Sequence, residues 1–313
     1  MLVRWCALLA FACPCAVRTA QSFPGEKIEF VSEVRGRQEP VYGYLSMPQA
    51  DRLLPAMILV HGSGGNGDRE LRYTAEYNKM GIAVFAIDSF TPRGVTSTAL
   101  DQASVSAQQM EADAFAALRL IGANPRVDRG RIGIQGVSKG GTVALETALP
   151  RVARARGAPA DLKFALHVPL YPGCSTQYRT PVTSGAPILM LLGAKDDYVG
   201  AEPCRNYAEV IKNGGADIRV IVYPEAGHGF DGNDGQRIRI DGVQNYSKCL
   251  AYIEDDGRII DAKTGQLIDS QRRFNELMAG CMTRGASLAT DGSAKAQSLE
   301  AIRLLFSQTL LKR

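Results

Sequence analysis

The segment Gly136-Val137-Ser138-Lys139-Gly140 dictates its own local fold more firmly than any other part of the chain. The run Arg131-Ile132-Gly133-Ile134-Gln135 precedes it, and the helix-compatible Gly141-Thr142-Val143-Ala144-Leu145-Glu146-Thr147 follows. Strand, tight turn and helix therefore meet at one serine. Only small residues two positions to either side let the strand and the helix approach so closely. Such a turn holds Ser138 in a strained backbone conformation and lifts its Oγ off the sheet. The Lys139 amide opens the helix, where free N–H groups and the dipole favour a developing negative charge. That pairing of hydroxyl and donor suits acyl transfer.

The surrounding rhythm fits an α/β fold. Lys27 to Val31 and Val41 to Met47 are expected to pair as antiparallel strands, and Ala56 to Val60 is a continuous apolar strand. Asp68 to Met80 predicts a helix, Ile82 to Ile87 a strand, and Asp101 to Ile121 a long amphipathic helix closed by Asn124-Pro125. Phe164 to Leu170, Pro187 to Leu192 and Ile218 to Tyr223 are further strand candidates, with Tyr207 to Lys212 helical between the last two. Alternating strands and helices predict a mostly parallel central sheet with helices on both faces. The stretch from Cys249 to Cys281 breaks the rhythm and predicts a cap or appendage, with a hairpin around Asp261 to Gly265. Ala294 to Leu311 closes the chain as a helix packing through Leu299, Ile302, Leu305 and Phe306.

Of 313 residues, 45% are apolar, enough for one large domain, and the net charge of +4 is spread without a basic tract. Nucleic acid is therefore not an expected partner. Residues 1–20 carry Arg4, an apolar stretch from Trp5 to Val17 broken by Pro14, and then Arg18-Thr19-Ala20, with Gln21 following. They resemble a signal peptide that is too short to span a bilayer, so the mature chain is expected in the periplasm or outside the cell, without a membrane span. Its domain would run from residue 21 to 313. Cys174, Cys204, Cys249 and Cys281 remain after the leader. An oxidising compartment permits disulfides among them, in any of three pairings. No spacing suggests a metal site.

A serine hydroxyl needs a base, and that base needs an orienting acid. Three histidines are available: His61 opens the loop His61-Gly62-Ser63-Gly64-Gly65, His167 lies in an apolar run that suits a core histidine, and His228 lies in Gly227-His228-Gly229-Phe230. The glycine-flanked His228, just after the last sheet strand, is the expected base. The acid should follow the preceding strand, where Asp196 and Asp197 stand side by side. The His61 to Gly65 loop offers backbone donors for an oxyanion hole, from Ser63 or Gly64 together with Lys139.

The same loop also imitates a dinucleotide site, since Gly62, Gly64 and Gly67 match G-x-G-x-x-G and Asp88 lies 21 residues beyond Gly67. Asp68 and Glu70 argue against it by placing negative charge where a pyrophosphate would bind. Arg93, in Asp88-Ser89-Phe90-Thr91-Pro92-Arg93-Gly94, stands at the functional end of a sheet strand. It could bind a substrate carboxylate or serve in a structural ion pair.

Through Gly136-Val137-Ser138-Lys139-Gly140-Gly141, Gly193-Ala194-Lys195-Asp196 and Gly227-His228-Gly229-Phe230 the chain resembles the dienelactone hydrolase family of α/β-hydrolases. Tyr171-Pro172-Gly173-Cys174 and the segment ending in Cys281 resemble its exported members. The resemblance implies the α/β-hydrolase fold, Asp196 rather than Asp197 as the acid, and the disulfide pairs Cys249–Cys281 and Cys174–Cys204. Family members use a cysteine nucleophile and a glutamate near the oxyanion loop; Ser138 and the glycine loop stand here instead. The expectation is a serine hydrolase acting on a small ester or lactone without cofactor or metal. A serine peptidase is the alternative, and a nucleotide-dependent oxidoreductase or a catalytically silent binding protein the more distant ones.

Overall fold

A computed structural model of the chain describes residues 23–233 and 237–312; the expected leader lies outside them. The chain opens with strands β1 (Glu26–Val34), β2 (Arg37–Ser46) and β3 (Leu54–Val60), then helix α1 (Asp68–Lys79) and strand β4 (Ala83–Asp88). Helix α2 (Ala107–Gly122), strand β5 (Val127–Val137) and helices α3 (Lys139–Glu146) and α4 (Pro150–Ala155) come next. Strands β6 (His167–Leu170), β7 (Thr176–Tyr178) and β8 (Ile188–Gly193), helix α5 (Glu202–Asn213) and strand β9 (Ile218–Tyr223) follow. The last third holds β10 (Arg237–Asn245), β11 (Ala251–Ile253), β12 (Ile259–Asp261), α6 (Gln271–Cys281), β13 (Thr283–Ala289) and α7 (Gly292–Gln308).

Eight strands form the central sheet in the order β1-β2-β4-β3-β5-β6-β8-β9, antiparallel only at the β1–β2 and β2–β4 pairs. Alternation along the buried strands sends side chains into two cores. Ala56, Ile58 and Val60 join Phe85 and Ile87 on one face, against Met110, Phe115, Leu118 and Ile121 of α2. Met57 and Leu59 face the other way, against Tyr73 and Tyr77 of α1 and Ile302 and Phe306 of α7. Each large side chain so buried contributes about 1.5–3 kcal/mol. Because the central strands run parallel, the loops after β3, β5, β8 and β9 emerge at one edge of the sheet, the usual place for a site on such a fold.

One expected boundary needs correction. Helix α2 starts at Ala107, not Asp101, because Ser106 caps it: its Oγ accepts from Gln109 N at 3.2 Å while Gln109 Oε1 accepts from Ser106 N at 3.0 Å. Residues 101–105 are instead a loop. A regular hairpin joins β11 to β12 through Asp255–Gly257, and the expected turn at Asp261–Gly265 closes a shorter one, with an antiparallel bridge from Ile260 to Leu267, Asp261 N donating to Gln266 O at 2.9 Å and Ile268 N to Ile259 O at 2.8 Å. Strands β10 and β13 pair outside the central sheet and have no counterpart in the predicted elements. Strand β13 matters for the site, since Ala289 N donates to His228 O at 2.9 Å.

The disulfides are Cys174–Cys204 and Cys249–Cys281, the pairs that the resemblance implied. The first ties the loop after β6 to α5, and the second closes the segment holding β11, β12 and α6. Strand β11 pairs in parallel with β7, which holds that segment beside the sheet edge.

Candidate active site

The turn after β5 has the strain that its sequence predicts. Ser138 adopts φ 53° and ψ −117°, outside the comfortable range of an L-residue. The glycines on either side explain how it survives. A methyl on Gly136 would stand 1.9 Å from Gly140 O, and one on Gly140 would stand 2.1 Å from Val60 O. Ser138 N donates to Leu170 O at 3.0 Å, anchoring the turn to β6.

Ser138 Oγ lies 2.8 Å from His228 Nε2, and His228 Nδ1 lies 2.8 Å from Asp196 Oδ2. Histidine and aspartate are both buried. Asp196 Oδ1 accepts from the amides of Tyr198 at 2.9 Å and Val199 at 3.0 Å, fixing the carboxylate plane. Burial would raise this carboxyl, but the His228 charge and hydrogen bond, with those two amides, outweigh it and hold the value below the usual range. Asp197 turns away: it accepts from Ser287 N at 2.8 Å, Ser287 Oγ at 2.9 Å and Arg237 at 3.0 Å, and so clamps β13. The imidazole is held edge-on between two tyrosine rings, Tyr171 at 4.9 Å and Tyr198 at 4.8 Å between centroids.

Behind Tyr171 lies Asp231, fully buried, whose carboxylate accepts from Arg69 Nε at 3.0 Å, Tyr73 OH at 2.7 Å and Tyr171 OH at 2.5 Å. Burial again pushes upward, but Arg69, the two phenols and Arg72 together hold the carboxyl below its usual range. The unfolded chain therefore binds this proton more readily than the fold does. Asp231 stabilises the fold above about pH 4, and that contribution disappears as pH falls through the lower native value. Melting temperatures measured between pH 2 and 6 should fall more steeply on acidification in the wild type than in Asp231→Asn; parallel curves would remove Asp231 from the acid limb. Sequence reading missed this residue. Its only local signal was an acid three positions after the glycine-flanked histidine.

The loop after β3 packs on Ser138, since a methyl on Gly62 would stand 3.4 Å from Ser138 Cβ. Gly65 N turns back to Gly62 O at 3.1 Å, and among the described residues the Ser63 and Gly64 amides have no acceptor in the fold. His61 braces this loop: its Nδ1 donates to Gly62 O at 2.8 Å and its Nε2 accepts from Ser89 N at 3.2 Å. Burial lowers its basicity and keeps it neutral for that role. The Lys139 ammonium has three donors and meets three oxygens: Thr98 Oγ1 at 3.0 Å, Gln102 O at 2.8 Å and Val105 O. Burial brings it down to about 8. The carbonyls it binds belong to the loop at residues 101–105. Gln102 then reaches both Ser63 Oγ at 3.1 Å and Tyr198 OH at 3.4 Å.

A cavity of about 250 Å³ opens on Ser138, lined near it by Ser63, Gln102, Lys139, Thr142 and Tyr198. Arg93 is not among its walls. Its guanidinium forks onto Asp113 at 2.7 and 2.9 Å, meets Glu39 at 2.6 Å, and donates to Ser89 O at 2.7 Å. The structural ion pair, not the substrate contact, is what the fold contains. Removing it leaves the fully buried Asp113 uncompensated, so Arg93→Ala should cost about 3–5 kcal/mol of stability by denaturant melt. Rates on anionic and neutral esters should change by the same factor; a loss confined to anionic esters would restore the substrate role.

His167 is a core histidine. It is buried, bonded through Nδ1 to Ala144 O at 2.9 Å, and lowered by burial to about 4. At the rival dinucleotide motif, Glu70 Oε2 accepts from Gly67 N at 2.9 Å and fills the anion position at the start of α1. Asp88 accepts from the amides of Phe90 at 3.0 Å and Thr91 at 2.9 Å, as a turn residue does. Among the described residues no cluster of His, Cys, Asp and Glu could hold a metal ion.

Residues 41–254 match the family model for the dienelactone hydrolase family, roughly two thirds of the chain. The chain belongs to the dienelactone hydrolase family. A curated relative from Yersinia pestis, named "Putative carboxymethylenebutenolidase", is 44% identical over 46 residues. That match spans 15% of this chain and only 17% of the relative. Among solved structures, one named "m3DLH" superposes with a TM-score of 0.59 at 20% identity, covering 90% of this chain and 98% of its own. The propionate-bound esterase Est2 of Thermogutta terrifontis gives a TM-score of 0.51 at 19% identity, over 66% and 86% of the two chains. Both share the α/β-hydrolase fold with this dienelactone hydrolase family member.

Proposed function

We propose that this family member is a serine hydrolase of carboxylic esters or lactones, acting through an acyl-enzyme on Ser138. The observation that carries it is the unbroken hydrogen-bond chain from Ser138 Oγ through the His228 ring to Asp196, at 2.8 Å in each link. His228 Nε2 takes the hydroxyl proton as Oγ attacks the carbonyl carbon, then returns it to the leaving oxygen. Asp196 holds the Nδ1–H tautomer and stabilises the imidazolium. The Lys139 amide and that of Ser63 or Gly64 receive the tetrahedral oxyanion, each donor worth about 3–4 kcal/mol in the transition state. A water deprotonated by His228 then releases the acid.

The two disulfides are compatible with an oxidising compartment, which supports the export expected from residues 1–20. Among the described residues no helix is long and apolar enough to cross a membrane. A panel of small esters, lactones and peptide amides tests the substrate class. Turnover of esters or lactones well above amides is expected; faster amide turnover would make the chain a peptidase.

A further inference from the structure

The cavity that begins at Ser138 continues along α3. Ser138, Thr142 and Glu146 are spaced four residues apart, so they share one helix face, and all three line the cavity. Eight residues at the helical rise put Glu146 about 12 Å from Ser138 along the axis. Arg156 stands at the same end. Behind it lies Glu111 of α2, fully buried, with Oε2 accepting from Arg156 Nε at 2.8 Å and Oε1 buried without a donor.

Glu146 lines the cavity beside Arg156, and Glu111 is the carboxylate whose charge acts on it most strongly. Two ionised carboxylates in contact repel each other, whereas a proton on Glu146 supplies the donor that Glu111 lacks. Burial beside Glu111 accordingly pushes the Glu146 carboxyl well above its usual range, with Arg156 opposing the shift. Tyr178 of β7 and Tyr207 of α5 are the other titratable neighbours, both raised by burial and so uncharged, and Arg151 of α4 lies beyond them. A protonated Glu146, with Glu111 paired to Arg156, leaves this end of the cavity without net charge. His228 does not line the cavity. The leaving group must lie beside His228 to receive its proton, so the acyl part is the one that enters.

We propose that Glu146, as a neutral carboxyl braced by Glu111 and Arg156, is a specificity-determining residue that binds an uncharged hydrogen-bonding group, such as a hydroxyl, at the far end of the acyl chain. Its O–H donates to Glu111 Oε1, and its second oxygen accepts from the substrate. An alkyl end leaves that oxygen unpaired, a carboxylate end opposes acceptor to acceptor, and an ammonium end is disfavoured beside Arg156 until Glu146 ionises. The assignment rests on the hydrolase function proposed above.

The test uses para-nitrophenyl esters of decanoic acid bearing ω-hydroxy, ω-carboxy, ω-ammonio or no substituent, with the acetate as a short control. Wild type should favour ω-hydroxydecanoate over decanoate by about tenfold in kcat/KM, the size of one hydrogen bond. Glu146→Gln, whose amide can both donate and accept, should keep the preference, and Glu146→Leu should lose it. The ω-ammonio to ω-hydroxy ratio should rise with pH in wild type and stay flat in Glu146→Gln, which a purely structural role would not produce. Acetate turnover with a wild-type ω-hydroxy preference near one overturns this proposal and leaves the hydrolase; turnover of no ester removes both.

Discussion

Ser138→Ala should lower kcat/KM on a good ester by at least about 10⁴-fold, with the melting temperature within a few degrees of wild type. The size follows from the chemistry: without Oγ no acyl-enzyme forms, and the oxyanion donors alone retain only a residual acceleration over water. Stability should hold because the turn depends on Gly136, Gly140 and the Ser138 amide, none of which the substitution removes. Alanine at φ 53° is no more strained than serine. A variant that keeps most of its activity would place the nucleophile elsewhere, and one that unfolds would show that Oγ stabilises the turn.

Asp196→Asn should cost about 10⁴-fold in kcat, while Asp197→Asn should cost mainly stability. An amide at position 196 donates toward His228 and turns the imidazole to the wrong tautomer, so Nε2 loses the lone pair that deprotonates Ser138. Asp197 makes its contacts with Ser287 and Arg237 on the β10–β13 pair. Its replacement by asparagine keeps an acceptor for Ser287 N but removes the charge that Arg237 pairs with, weakening the hold on the strand that carries Leu288 beside His228 by up to about 1 kcal/mol. Kinetics and melts on both variants separate the neighbours. Equal kinetic losses would mean that Asp197 acts through the loop as strongly as Asp196 acts through the ring.

Much of the central sheet is legible in the sequence, because fully buried parallel strands such as Ala56 to Val60 are continuous apolar runs and need no distant information. Ser138 and His228 are legible for a local reason too. Each follows a sheet strand and is flanked by glycines that let the backbone turn sharply. Asp196 and Asp197 cannot be told apart locally. Their opposite orientations are set by Ser287, 90 residues further on from Asp197. The same distance effect explains Arg93, whose partners Glu39 and Asp113 lie on other elements. It also explains the loop at residues 101–105, which has helical composition but gives its carbonyls to Lys139. Strands β10 and β13 carry mixed polar patterns, since one face stays in solvent, and their pairing crosses the whole disulfide-closed segment.

The central claim is that Ser138 is the atom donor of the covalent intermediate. Incubation of the intact protein with a fluorophosphonate, followed by peptide mass mapping, tests it directly. One adduct is expected, on the peptide containing Ser138, formed in wild type, absent in Ser138→Ala and strongly slowed in Asp196→Asn. An unlabelled wild type, or an adduct on another side chain, would contradict the account.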